Sequence, residues 1–255
     1  TIYKDMLSTL KQAEEMMDET SGFVDVSSDL IYNGEVSKWK KFANSLRLRL
    51  ATRIHEADPE TYQTVMLELA SKEFISSNDE GAYFPFNAQN LNHLYAAFDR
   101  NEATTQNNPS KYFVDKMVST NDPRVKIFFT KTPLHVLPMI PDYNGVPNLV
   151  VNNDALCGNY DYNNDGQWSD VSRIGTWFLR AETPGVFISY AEVCFLKAEA
   201  VINGAYPGDA LSFLKEGIRA NMEFYSENGE AEHEITETEI SDYLTTITDV
   251  NLETI

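Results

Sequence analysis

Helical period governs both ends of this chain and is missing from its middle, and that division limits the folds open to it. Apolar residues recur at helical spacing in five segments. Over 2–18, Ile2, Tyr3, Met6, Leu7, Leu10, Ala13 and Met17 form one stripe. Over 37–57, Trp39, Phe42, Ala43, Leu46, Leu50 and Ile54 do the same. Pro59 stands where a first helical turn starts, and 59–74 continue with Tyr62, Val65, Met66 and Leu69. Residues 187–203 are apolar nearly all round, and 208–225 repeat Ala210, Leu211, Leu214, Ile218 and Phe224. Shorter helices are expected over 110–119 and 236–247. By contrast, 76–109 and 130–186 are rich in Asn, Asp, Gly, Pro and aromatics without sustained period. Loops of that length in a compact domain are usually functional or carry short strands. The reading is a mostly α chain with little strand. It has a helical scaffold at 1–75 and 187–247 and a loop-rich region at 76–186, within a single domain over 1–255.

Residues 188–225 read as a helical hairpin around the turn Gly204-Ala-Tyr-Pro-Gly208. Ala198, Ala210 and Gly217 are small where tetratricopeptide hairpins bring backbones close. Gly204 suits a C-cap, and Pro207 is expected to start the return helix. Trp39, Phe42, Ala43 and Leu46 fit the W-x-x-L-G-x-x-Y frame of a repeat's first helix, with Phe, Ala and Leu replacing Leu, Gly and Tyr. A plain antiparallel helix pair would give much the same pattern.

Of 255 residues, 42% are apolar and 23% charged, as in folded soluble proteins. The net charge of −19 repels phosphate backbones, so no nucleic-acid partner is expected. The acidity is concentrated: 181–255 hold 15 Asp and Glu against 3 Lys and Arg, six of the acids between Glu227 and Glu239. Residues 36–55 carry Lys38, Lys40, Lys41, Arg47, Arg49 and Arg53 and no acid. No stretch approaches the roughly 18 consecutive apolar residues of a membrane span. Cys157 and Cys194 form neither a disulfide framework nor a metal cluster. A chain beginning at Thr1 and stopping at Ile255 without closing punctuation is expected to be part of a longer protein.

Charge also falls within the apolar helix faces. Projected at about 100° per residue, Arg53 lies inside the stripe of 37–57 and Arg49 flanks it. Leu48 points the opposite way, so the helix is expected to be covered on more than one side. Glu192 and Glu199 share one line of the otherwise apolar helix 187–203. Buried charges need partners, so Arg49 or Arg53, with Arg47 as the lesser choice, is expected to pair with Glu192 or Glu199 in bidentate geometry. The functional alternative, a glycosidase pair, requires closer carboxylates than the about 10.5 Å of a seven-residue helical step.

The segment Asp29-Leu-Ile-Tyr-Asn-Gly-Glu-Val-Ser-Lys-Trp-Lys-Lys-Phe-Ala-Asn-Ser-Leu-Arg-Leu-Arg-Leu-Ala51 resembles the SusD/RagB family, outer-membrane nutrient-binding lipoproteins of Bacteroidetes. The likeness continues at Asn121-Asp-Pro-Arg124, Ser172-Arg-Ile-Gly175 and Ser189-Tyr-Ala-Glu-Val-Cys-Phe-Leu-Lys-Ala-Glu-Ala200, in the family's order and spacing. The combination is specific where no single block would be. The resemblance implies a SusD-like superhelix of tetratricopeptide-like helix pairs, whose irregular loops, here 76–186, face the ligand. It implies a cell-surface lipoprotein anchored by a cysteine after a signal peptide. It also implies a TonB-dependent, SusC-like transporter as partner, a glycan or sometimes oligopeptide ligand, and no catalysis. The family's N-terminal part with its anchor cysteine is absent, as is the closing block with its Gln-Lys-Trp helix. Neither Cys157 nor Cys194 stands at the anchor position.

Sugar binding needs flat aromatic faces and planar polar groups. Tyr160, Tyr162 and Trp168 lie among Asn159, Asn163, Asn164 and Gln167; a second cluster holds Tyr83, Phe86, Asn87, Asn90, Asn92 and Tyr95. Tyr160, Tyr162, Asn163, Trp168, Tyr83 and Asn90 are the candidate ligand residues; aromatics in long loops equally serve to pin the loop to the core. Asp161, Asn163 and Asp165, followed by Gly166, match the opening of a calcium loop, although its twelfth position is Ser172, with Asp170 as a substitute. An Asn/Asp/Gly-rich turn reads the same way. The four histidines have no ligand spacing, and HExxH, GxxxxGK, GxGxxG and GxSxG are missing. Beside nutrient capture stand a tetratricopeptide-type protein-interaction module and an enzyme on the same scaffold, since two glycosidase carboxylates leave no local signature.

Overall fold

The computed structural model describes residues 2–20, 26–99, 108–132, 141–147, 171–227 and 234–251. In chain order the elements are α1 (Ile2–Met16), α2 (Val36–Arg53), α3 (Pro59–Leu69), β1 (Ala82–Phe84), α4 (His93–Asp99), α5 (Lys111–Ser119), α6 (Val125–Phe128), β2 (Gly185–Ile188), α7 (Tyr190–Ile202), α8 (Ala210–Glu227) and α9 (Glu237–Thr246). Short 3-10 turns occupy Asn78–Glu80 and Thr176–Leu179. Each segment expected to be helical contains one of these helices. The fold is mostly α, and among the described residues the strands are one antiparallel pair, Tyr83 opposite Val186 and Phe84 opposite Gly185, with an irregularity between Ala82 and Tyr83. The chain divides into two compact units. One comprises Thr1–Pro85, Pro184–Phe224 and Leu244–Ile255; the other comprises Phe86–Thr183 and Tyr225–Tyr243.

In the first unit, α2 packs against α1, α3 and α7. That explains why its apolar residues do not keep to one stripe: Ala43, Leu48, Leu50 and Ala51 are all buried. Leu48, Leu50 and Ala51 meet Tyr62, Met66 and Leu69 of α3 and Val193, Leu196 and Ala200 of α7 in one core. Asp58 caps α3, accepting from the Thr61 amide, and Pro59 occupies the first turn. α7 ends in a Schellman motif: the Ala205 amide reaches the Ala200 carbonyl, the Gly204 amide reaches Val201, and Gly204 takes φ +70°. The return helix does not start at Pro207. Asp209 supplies the cap instead, its carboxylate accepting from the amide and hydroxyl of Ser212, and the helix begins at Ala210. At Gly217 a Cβ would lie 2.4 Å from the Phe195 ring and 3.0 Å from the Ala191 carbonyl, so glycine sets the approach of α8 to α7.

Asp29 organises the entry to α2. Its carboxylate accepts from the amides of Ile31, Tyr32 and Gly34 and from the Trp39 indole at 2.7 Å. Asn33 and Gly34 adopt positive φ to close that turn. Burial opposes charge on Asp29, but these four donors prevail and hold its pKa below the ordinary 3.8.

The described residues of the second unit form short elements held by side-chain clips and rings. Ser110 caps α5. Phe128, Trp177, Phe178 and Tyr225 stack edge to face or tilted, with centroids 4.7–5.9 Å apart. Asn92 accepts from the Leu94 amide at the start of α4 and donates to the Thr183 carbonyl, while its own amide reaches Ala181. Asp122 holds Arg124 through the Nε and Nη2 nitrogens. Gly175 donates to the Phe128 carbonyl, and a Cβ there would fall 1.8 Å from the Ile127 carbonyl oxygen. Only glycine fits beside the antiparallel bridge between Ile174 and Phe129.

Candidate functional site

The charges expected inside the helix faces separate into distinct roles. Arg49 meets Glu192 in a fork, Nε to Oε1 at 2.5 Å and Nη2 to Oε2 at 2.6 Å, and Nη2 also donates to the Phe187 carbonyl at 2.7 Å. One guanidinium thereby ties α2 to α7 and to β2. Arg53 is exposed on the last turn of α2, and Glu199 is half-buried near Tyr62. Arg47 is the most enclosed of the three arginines and binds Glu68 of α3, which Lys11 of α1 also holds. With its carboxylate engaged by Arg49, Glu192 is a structural group.

The two aromatic–amide clusters fare differently. Tyr160, Tyr162, Asn163 and Trp168, with the calcium loop Asp161, Asn163 and Asp165, lie outside the described residues. In the other cluster, Tyr83 and Asn90 belong to different compact units. The Tyr83 ring stacks on Phe224 at 5.0 Å and 25°, in space that a side chain at Gly81 would fill. Asn87 accepts from the Gln89 and Asn90 amides to close a turn, and Asn90 presents an exposed side chain at its tip. Asn92 is committed to the clip described above.

The described residues of the second unit also form a pocket of about 510 Å³. It is lined by the buried Phe129, the half-buried Tyr143, and Lys126, Thr130, Lys131, Gly175 and Thr176. Each lysine has a carboxylate: Lys126 pairs with Glu239 and Lys131 with Asp142, both at 2.8 Å. Burial opposes ionisation of Glu239, but hydrogen bonds from Lys126 and Thr236 hold its pKa below the ordinary value. The bond from Lys131 to Asp142 raises the lysine's pKa, and burial raises that of the Tyr143 phenol. Five of the seven lining residues come from the aperiodic stretch 130–186, and of the seven only Gly175 lies in a block that the sequence singled out, Ser172–Gly175. The others are dispersed without period.

Among the described residues, no group of three or more His, Cys, Asp or Glu side chains is placed to hold a metal ion. Burial pushes the Cys194 thiol up to about 12, which removes it as a nucleophile at neutral pH. No described helix is long and apolar enough to cross a membrane.

The SusD-like family profile, described as "Starch-binding associating with outer membrane", matches residues 1–255. Among solved structures, a chitin-binding protein is 27% identical with a TM-score of 0.81, the alignment covering 96% of this chain and 52% of that one. A Bacteroidetes SusD-like protein is 22% identical at TM-score 0.75, covering 95% and 57%. A SusD homolog from Bacteroides fragilis is 22% identical at TM-score 0.77, covering 96% and 53%. The chain thus spans about half the length of these relatives. No curated protein sequence matches it.

Proposed function

The chain belongs to the SusD-like family, and from that premise we propose that it captures a glycan at the bacterial outer membrane and delivers it, chemically unchanged, to a TonB-dependent SusC-like transporter. The observation that carries this reading is the match along the whole chain to a family described as starch-binding and associating with the outer membrane. The similarity to a chitin-binding protein supports a saccharide ligand, and we take N-acetylglucosamine oligomers and starch oligomers as first candidates. Anchoring by a lipidated cysteine is part of the same reading. Asn90 and the cluster of Tyr160, Tyr162, Asn163 and Trp168 contribute contacts to the ligand, with calcium at Asp161, Asn163 and Asp165 ordering their loop. The role is non-catalytic: the rigid helical core commits Glu192 to an ion pair.

Calorimetry of the chain against chitobiose, maltotriose and short peptides, with and without calcium, tests this reading. Saturable saccharide binding with the sugar recovered intact is the expected result, and calcium should strengthen it. Binding of peptides alone, or release of cleaved sugar, would replace it.

A further inference from the structure

The pocket of the second unit has a chemistry of its own. Tyr143, half-buried and packed on the core that holds Phe129, gives it apolar surface suited to the C–H face of a sugar ring. Among the described residues, three hydroxyls retain hydrogen-bonding capacity. Thr130 accepts from the Arg173 amide at 3.1 Å, leaving its own proton without an acceptor among the described residues. Neither Thr176 nor the Tyr143 phenol has a hydrogen-bond partner among those residues. A volume of about 510 Å³ is within the range of small-molecule sites.

Charge narrows the ligand class. The two ammonium groups are already matched, Lys126 by Glu239 and Lys131 by Asp142. An anionic ligand would have to displace a carboxylate and then remain near it, which costs like-charge repulsion. A cationic ligand meets the same obstacle from the lysines. A neutral hydroxyl can donate to the carboxylate and accept from the ammonium without breaking either pair.

We propose that this pocket is a saccharide subsite for an uncharged sugar residue, which rests on the Tyr143 ring, is hydrogen-bonded by the Thr130, Tyr143 and Thr176 hydroxyls, and is screened against charged sugars by the two lysine–carboxylate pairs. The proposal deepens the glycan-capture reading and rests on it.

The test compares the 255-residue chain with its Tyr143→Phe/Thr176→Ala variant by calorimetry, using chitobiose, maltotriose and digalacturonate at low and high salt. Thr176 is exposed and Tyr143 half-buried, and Phe keeps the ring, so the melting temperature should hold. Losing two neutral hydrogen bonds should weaken binding of the neutral sugar by about 10- to 100-fold. The parent chain's affinity should not change with salt, and digalacturonate should not bind. Equal affinity of variant and parent would exclude this pocket while leaving glycan capture intact. Binding of digalacturonate alone, weakening with salt, would overturn the neutral class. If no saccharide binds the parent chain, both readings fall.

Discussion

The two compact units are stabilised in different ways. In the first, long helices share an apolar core, and three arginines on α2 divide the work: Arg47 and Arg49 reach neighbouring helices while Arg53 stays in water. In the second, described helices are short, and order comes from edge-to-face rings, the Asn92 clip and the glycine contact at Gly175. Broad apolar burial makes a scaffold that resists deformation. Local clips leave backbone and hydroxyl groups at the surface, where a pocket can be lined. A chain that must be rigid yet present a varied binding surface gains from keeping these two constructions apart.

The largest way to disturb that contrast is in the helical core. Leu48→Ala empties a fully buried position and should cost about 2–5 kcal/mol in urea unfolding. A loss below about 1 kcal/mol would mean that α2 is not the hub of its unit. In the other unit, Gly175→Ala forces a methyl against the Ile127 carbonyl and should cost about 1–3 kcal/mol, with the loss of near-ultraviolet signal from Trp177. Gly217→Ala should cost less, because the Phe195 ring it meets can turn while the Ile127 backbone cannot. Arg49→Met removes the fork to Glu192 and the Phe187 contact. With the Glu192 side chain 35% exposed, water replaces part of that interaction, and the expected loss is about 1–2 kcal/mol.

Acid gives the smallest effect and sharpens the comparison. Asp29, Glu68 and Glu80 in the first unit have pKa values held below their ordinary 3.8 or 4.5. For Asp29 and Glu80 burial opposes this and hydrogen bonds overcome it; for Glu68 the bond from Lys11 leads. A depressed carboxylate contributes fully above its unfolded pKa, and the contribution is lost as pH falls through the folded value. Stability should therefore decline from about pH 4.5 downward, and Asp29→Asn should flatten the part of that decline below about pH 3.8. An unchanged acid profile in Asp29→Asn would remove Asp29 from this role.

The same contrast explains what could be read in the sequence. Helical period located α2, α3 and α8 because each buries a face, and the nearly continuous apolar run located α7; in α1 only Leu7 of the expected stripe is buried, while Ile2, Tyr3 and Met6 are exposed. Period narrowed the arginine question to the right helices but left Arg49 and Arg53 unresolved, since projecting one helix does not show which neighbour covers which side. Arg47, ranked last, is the most enclosed because α3 and α1 supply Glu68 and Lys11 from elsewhere in the chain. Pro207 suggested a helix start that the Asp209 cap takes over. Composition marked 130–186 as functional ground, but the pocket depends on Lys126, Tyr143 and Thr176 meeting across sequence gaps, which no local pattern encodes.

Hydrogen exchange with and without saturating sugar tests the central claim, that the short-element unit takes the ligand and the helical core does not. With chitobiose or maltotriose bound, amides at 126–131, 143–146 and 174–176 should slow while those of α2, α3 and α7 remain unchanged. Protection confined to α7 and α8, with none around Tyr143, would contradict the account.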